Sequence, residues 1–166
     1  MSLKYTLLDG VAIEKKGLFD FKETYSHAKK WLEAYNYTVI EKSFKHKEGD
    51  GGRDVEVEWT VTREIDEYTQ FNFEVKWKGS GLTDVKVKIN KKDVKLQKGK
   101  VKLEVNTFLM LDWQDKWEES PVLKFMRALF EKYLYKKQLD ELKSQLWKEG
   151  WNFYNEMKTF LNMYDF

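Results

Sequence analysis

The sequence contains no cysteine, a single proline and only two histidines among 166 residues. Without cysteine, the chain can form no disulfide, no thiolate nucleophile and no cysteine-ligated zinc site. The motifs HExxH, GxGxxG and GxSxG and the EF-hand spacing are also missing, which removes the common metalloprotease, dinucleotide-binding, serine-hydrolase and calcium-loop interpretations. We therefore assign no catalytic residue, metal or cofactor, and we prefer a non-enzymatic function.

The sequence also lacks an excess of charge of one sign and any long apolar run. The 30 Lys and Arg residues nearly balance the 28 Asp and Glu residues, and the net charge of +2 gives no general case for nucleic acid or an anionic membrane. No stretch is apolar enough to span a bilayer, and the N-terminus lacks the pattern of a signal peptide. We expect a cytoplasmic protein with no membrane span. A composition rich in Lys and Glu without cysteine is typical of thermophile proteins.

Aromatic residues are abundant, at 16% of the chain with seven tryptophans. Apolar and polar side chains alternate strictly along residues 55–61, 71–77 and 85–89, which is typical of strands with one apolar and one charged face. The short connections at residues 49–52, 79–81 and 90–93 favour antiparallel pairing. Further strands are predicted over residues 4–13, interrupted at Asp9-Gly10, over 37–45 and over 100–111.

Two regions have helical periodicity. Asp20 is a suitable N-cap for a helix that runs to about Tyr35, where Asn36 ends it. The C-terminal region from Ser120 to Phe166 has the pattern of an amphipathic helix, with Ser120 as a suitable N-cap and Pro121 in the first helical position.

The apolar side chains of the C-terminal region form two stripes that differ in phase by roughly 130°. The first stripe contains Val122, Met126, Leu129 and Tyr133, with Phe125 and Phe130 beside it. The second contains Leu139, Leu142, Leu146, Gly150, Phe153, Met157, Phe160 and Tyr164. One straight helix cannot direct both stripes at one surface. We therefore predict a break or change of partner between Tyr133 and Leu139.

The predicted fold class is α+β, within one domain spanning residues 1–166. A curved antiparallel sheet of five to seven strands occupies residues 1–112, and the first helix and the broken helical region, residues 116–166, cover one face. This order of elements resembles the helix-grip architecture of START and Bet v1-like proteins, in which a curved antiparallel sheet grips a C-terminal helix. The resemblance covers nearly the whole chain, and no sequence motif carries it.

The resemblance implies a binding protein with an apolar, aromatic-lined cavity between the sheet and the C-terminal helix. We expect the cavity to hold a small hydrophobic ligand. Its predicted lining residues are Trp59, Trp77, Phe73, Phe125 and Tyr133.

Two other functions remain open. In the first, the chain is an assembly or adaptor protein that forms a homodimer or binds a helical partner through Leu139, Leu142, Leu146, Phe153, Met157, Phe160 and Tyr164, because the second stripe is left over if the sheet uses only the first. In the second, an enzyme or metal-dependent activity uses the acidic cluster of residues 112–119, although carboxylates ahead of a helix more simply favour its positive end. Nucleic acid binding is not expected, because the lysine-rich strands place their aromatic residues on the opposite face.

Overall fold

The structure is a computed structural model that describes residues 3–115, 120–130, 132 and 135–164. The described elements, in chain order, are β1 (Leu3–Phe19), α1 (Phe21–Ala34), β2 (Thr38–Gly49), β3 (Gly52–Glu64), β4 (Thr69–Ile89), β5 (Lys92–Leu111), α2 (Pro121–Leu129) and α3 (Lys136–Leu161). The strands form one open sheet in the order β1-β5-β4-β3-β2, and every neighbouring pair is antiparallel. The predicted α+β class and antiparallel sheet are confirmed.

The strands β4 and β5 are longer than the sequence pattern predicted. The turn expected at residues 79–81 is wrong, because β4 continues to Ile89 and the chain reverses at Asn90 and Lys91, whose φ angles are 50° and 67°. Gly81, at φ +60°, instead belongs to a bulge where the register shifts between Ser80 and Thr83. Two consecutive residues with left-handed φ angles, as at Asn90 and Lys91, are typical of a type I′ hairpin turn. The strands predicted over residues 71–77 and 85–89 are therefore one long strand.

The first helix follows the prediction closely, whereas the first strand, predicted over residues 4–13, runs from Leu3 to Phe19. The interruption expected at Asp9-Gly10 is a register shift between Leu8 and Val11, the mark of a β-bulge. The side chain of Asp20 accepts a hydrogen bond from the backbone N–H of Glu23, so it caps α1 as expected.

The apolar face of the sheet is covered by α1 and α3. Thr24, Ala28 and Leu32 of α1 are buried, and α3 crosses β1 and β5. The apolar side chains buried along α3 belong mostly to the second stripe and comprise Leu139, Leu146, Phe153, Met157 and Leu161. They form one core with the inner rows of the sheet.

The predicted break in the C-terminal region is confirmed, since α2 ends at Leu129 and α3 begins at Lys136. The roles of the two stripes are the reverse of the expectation. The second stripe covers the sheet, whereas Val122, Phe125, Met126 and Leu129 of the first stripe are exposed. The physical reason is length: α3 has 26 residues and buries far more apolar surface against long strands than the nine residues of α2 can.

This arrangement removes the reason for predicting an interface through the second stripe. Leu139, Leu146, Phe153 and Met157 are used within the chain, and Leu142, Phe160 and Tyr164 are half-buried. Docking through that stripe would require α3 to leave the sheet. None of the helices in the described ranges combines the length and apolar character needed to cross a bilayer.

Gly150 marks the closest approach of α3 to the sheet. A Cβ atom at this position would lie 3.1 Å from the Thr107 methyl group and 3.2 Å from a Leu8 methyl group. The absence of a side chain at Gly150 therefore permits the close approach of α3 to β1 and β5.

We predict that Gly150→Leu lowers the free energy of unfolding by about 1–3 kcal/mol, because the larger side chain overpacks this contact. The matched control is Asn152→Leu, at an exposed position of the same helix. Urea denaturation followed by circular dichroism measures both variants. Equal effects of the two substitutions would contradict the close packing of α3 at Gly150.

Candidate functional site

The space where the sequence placed a ligand cavity is occupied by interlocking aromatic rings. Trp59 and Trp77 are 2% and 1% exposed, and their ring centroids are 5.6 Å apart. Tyr25 of α1 covers both, at 4.9 Å from Trp59 and 5.7 Å from Trp77. Phe73 packs edge-on against Phe153 of α3 at 5.8 Å. The rings that were expected to line a cavity therefore fill the interior, and α1 rather than the C-terminal region covers the two tryptophans.

The other two predicted lining residues lie elsewhere. Phe125 is 65% exposed on α2 and is directed away from the core. Tyr133 lies outside the described residues. The five predicted residues are therefore not brought together at one site.

A cleft of about 600 Å³ opens at one end of the helix-covered face. It lies between the N-terminus of α1, the β2–β3 hairpin and the part of β4 and β5 beyond the bulge. Its lining residues are Asp20, Phe21, Lys22, Glu23, Phe44, His46, Arg53, Val55, Leu82, Asp84, Lys95 and Gln97.

The lining of the cleft includes a group of apolar side chains. Val55 and Leu82 are 8% and 2% exposed, whereas Phe44 is 58% exposed. Phe44 pairs with the inward-facing Val57, so it stands on the covered side of the sheet. Phe21 adds a ring from α1, and its centroid is 6.0 Å from that of Trp77. The ring of Phe21 therefore connects the apolar part of the cleft to Trp77 and its neighbour Trp59.

The polar residues of the cleft converge on Asp84. Its carboxylate accepts hydrogen bonds from Arg53 at 2.7 Å and from Gln97 Nε2 at 3.2 Å, and Lys95 Nζ lies 3.4 Å away. The Gln97 hydrogen bond, with the charges of Arg53 and Lys95, lowers the pKa of Asp84 below its ordinary value despite desolvation. Gln97 also accepts a hydrogen bond from the backbone N–H of Phe21 at 2.8 Å, so it connects the sheet to the start of α1.

This cleft could not be recognised in the sequence, for a definable reason. Residues 79–81 were interpreted as a turn, so the positions beyond them were assigned to a separate strand. The bulge keeps them in β4 and places Leu82 and Asp84 beside the start of α1. The alternation of Phe44 and His46 on an edge strand is the one available signal.

A buried polar cluster joins α3 to the sheet. The hydroxyl of Tyr37 donates a hydrogen bond to Glu149 Oε2 at 2.6 Å, and Arg63 donates to Glu149 Oε1 at 3.1 Å. Arg63 also donates to the backbone oxygen of Tyr35 and stacks over the ring of Tyr37. Every charge in the cluster has a partner in the chain, so its role is to fix α3.

The remaining candidate groups have structural partners. Asp112 is buried, and its carboxylate lies 3.5 Å from Arg127 of α2, while residues 116–119 of the acidic cluster lie outside the described residues. Within the described ranges, no three His, Cys, Asp or Glu side chains are placed to share a metal ion. His27 stacks on Phe160 and lies 2.9 Å from Glu156, so it contributes to the contact between α1 and α3.

Lysines on the open face of the sheet lie beside acidic side chains. Lys76 is 3.6 Å from Glu58, Lys78 is 4.0 Å from Glu56, and both pairs are exposed. Exposed pairs of this kind contribute little stability.

We predict that the free energy of unfolding falls as the pH rises above about 10, the ordinary pKa of tyrosine, because Tyr37 ionises in the unfolded chain before it does so in the fold. Burial, and then the hydrogen bond to Glu149, raises the pKa of Tyr37 in the folded protein. Its contribution is complete below the unfolded pKa and is lost above it, at up to about 1.4 kcal/mol per pH unit. Tyr37→Phe should make this decline shallower in denaturation experiments between neutral and alkaline pH. Identical slopes for the two proteins would contradict the prediction.

Comparisons with protein-family models, curated proteins and solved structures find no match to this chain. The helix-grip resemblance therefore gains no support from a relative. The cleft has to be interpreted from its own residues.

Proposed function

We propose that the protein is a non-enzymatic binding protein that holds a small, largely apolar ligand in the cleft beside the N-terminus of α1. The observation that carries the proposal is an open space of about 600 Å³ against the buried side chains of Val55 and Leu82. Ligand sites of drug-sized molecules have volumes of this order and combine an apolar lining with a few placed polar groups.

The exposure of Phe44 supports the same interpretation. A phenylalanine that is 58% exposed on the covered side of a sheet leaves apolar surface in water. A ligand between Phe44, Leu82 and Phe21 would bury that surface without any movement of α3.

The polar residues favour a ligand with a polar end. Arg53 and Lys95 share the carboxylate of Asp84, and the lining as a whole contains three acidic residues, Asp20, Glu23 and Asp84, and three basic ones. The network is held in place by Gln97, which limits the cost of ordering it when a ligand binds. A ligand with an apolar body and a hydrogen-bonding end would fit these groups.

The resemblance to helix-grip proteins implies the same class of function at a different place. In that architecture the ligand lies under the C-terminal helix, whereas Phe153 and Met157 of α3 are fully buried in the core here. The proposed site is the uncovered end of the same sheet face.

The assignment to a cytoplasmic location stays a prediction.

We predict that a panel of fatty acids and small aromatic compounds contains ligands that change the tryptophan fluorescence, because Phe21 connects the cleft to Trp77. Phe44→Ala should weaken the binding of such a ligand about tenfold, since a ring that the ligand covers is lost. The matched control is Ile40→Ala, which also removes an exposed large side chain from β2 but lies outside the cleft lining.

Fluorescence titration gives the affinities, and thermal denaturation checks that both variants remain folded. Failure of every compound to change either the fluorescence or the melting temperature would contradict the proposal. Equal loss of affinity in the two variants would place the ligand outside the cleft.

A further inference from the structure

The strands β4 and β5 extend beyond the rest of the sheet as a two-stranded ribbon. In the described part of the chain, β1 pairs with β5 only as far as Gln97, and β3 pairs with β4 only as far as Leu82. Beyond these points, β4 and β5 pair with each other up to the turn at Asn90 and Lys91. Residues 85–96 are named the β4–β5 arm. Its strands extend about 17 Å from the sheet, at roughly 3.3 Å per residue.

The β4–β5 arm concentrates positive charge. It contains five lysines and one aspartate, which give a net charge of +4, although the whole chain carries only +2. A wider count along both strands, over residues 76–102, finds ten lysines and two aspartates, and the next acidic residues are Glu74 and Glu104. The lysines of the arm are all exposed and comprise Lys86, Lys88, Lys91, Lys92 and Lys95.

The lysines in the body of the sheet have acidic neighbours that the arm lacks. Lys76 lies 3.6 Å from Glu58, and Lys78 lies 4.0 Å from Glu56, because β3 runs beside this part of β4. No strand runs beside the arm to supply such partners. Among the described residues, Lys95 is the one arm lysine that lies within 4.0 Å of a carboxylate.

The acidic residues near the arm lie at its base. Asp84 is bound by Arg53 and Gln97, and Asp54 accepts a hydrogen bond from the backbone at the bulge. The cleft, which Asp84 also lines, contains two further carboxylates from the start of α1. The outer part of the arm, residues 86–93, therefore has four lysines and one aspartate.

The aliphatic side chains of the arm lie on the face opposite Lys86, Lys88 and Lys95. Val85 and Val87 alternate with these lysines along the ribbon and are half-buried. None of the exposed large hydrophobic side chains in the described part of the chain belongs to the arm. An anionic membrane is a poor partner, because surface binding to a bilayer requires an apolar face that enters it. A second copy of the arm would bring lysines against lysines.

We propose that the β4–β5 arm binds the phosphate backbone of double-stranded DNA, with the ribbon in the major groove. This groove is about 12 Å wide and 8.5 Å deep and admits a two-stranded β-ribbon, and the arm is long enough to enter it. The exposed lysines would neutralise phosphates on both sides of the groove. Because phosphate contacts carry no base information, the binding is expected to be independent of sequence.

The other forms of nucleic acid fit the arm less well. Single strands are held by exposed aromatic rings on which the bases stack, and the arm contains no aromatic residue. The expectation from the sequence against nucleic acid rested on this stacking, which a duplex does not need. The major groove of duplex RNA is deep and narrow and does not accept side chains in this way.

Fluorescence anisotropy with a labelled 20-base-pair DNA duplex tests the proposal on the full chain. Binding is expected with a Kd of about 10⁻⁴–10⁻⁶ M at physiological salt, and it should weaken steeply as salt is added. Lys86→Gln with Lys88→Gln should reduce the affinity about tenfold and make the slope of log K against log salt shallower by about two, since each phosphate contact contributes about 0.9. Both positions lie outside the lining of the cleft.

The matched control is Lys29→Gln with Lys30→Gln, which removes the same charge from exposed positions of α1. It should leave the salt slope unchanged, and equal melting temperatures show that both variants fold. No binding to the duplex at low salt, or an equal loss in the control variant, would overturn the proposal. Equal affinity for a single strand or an RNA duplex would overturn the major-groove assignment. Binding to phosphatidylserine vesicles without binding to the duplex would overturn it in favour of a membrane.

Discussion

A sheet with one apolar face is stable in water only when that face is covered, and this requirement organises the whole chain. The inner row of β3, with Val57, Trp59 and Val61, is almost completely buried, and the neighbouring strands β4 and β5 continue it. Burial of this surface is the main favourable term in folding. Helix α1 covers Trp59 and Trp77, and α3 covers the region of β1 and β5. The two helices together thus cover the apolar face of the sheet.

The cleft and the exposed side of α2 lie where this cover ends. At one end, α1 begins at Phe21 while β4 and β5 continue past the other strands, and the uncovered side chains near Leu82 form the cleft. At the other end, α2 is held by Arg127 and Phe130, and its apolar side is left without cover. Both features lie outside the aromatic core, which the ring contacts of Trp59, Trp77 and Tyr25 fill.

The sequence predicted the features that depend on local rules. The alternation of strand residues, the Asp20 cap and the change of phase between the C-terminal stripes each follow from a few neighbouring side chains. The features that were missed depend on distant contacts. Whether the glycines at 79 and 81 make a turn or a bulge is decided by the partner strand β5, where a Cβ on Gly99 would lie 2.9 Å from the carbonyl oxygens of Ser80 and Gly81. Which stripe faces the sheet depends on the lengths of α2 and α3, and the phase difference between the two stripes does not determine these lengths. The filled core was missed because ring packing cannot be derived from composition.

The central claim is that aromatic rings fill the covered face beneath α3 and that the ligand binds in the cleft beside the start of α1. Two-dimensional NMR of the labelled protein, titrated with an apolar compound that binds, tests this claim residue by residue. The account predicts shifts in the backbone signals of Phe21, Arg53, Leu82 and Gln97 and in the indole signal of Trp77, with the signals of Phe73, Phe153 and Met157 unchanged. Shifts centred on Phe73 and Phe153 would show a ligand beneath α3 and would contradict the account.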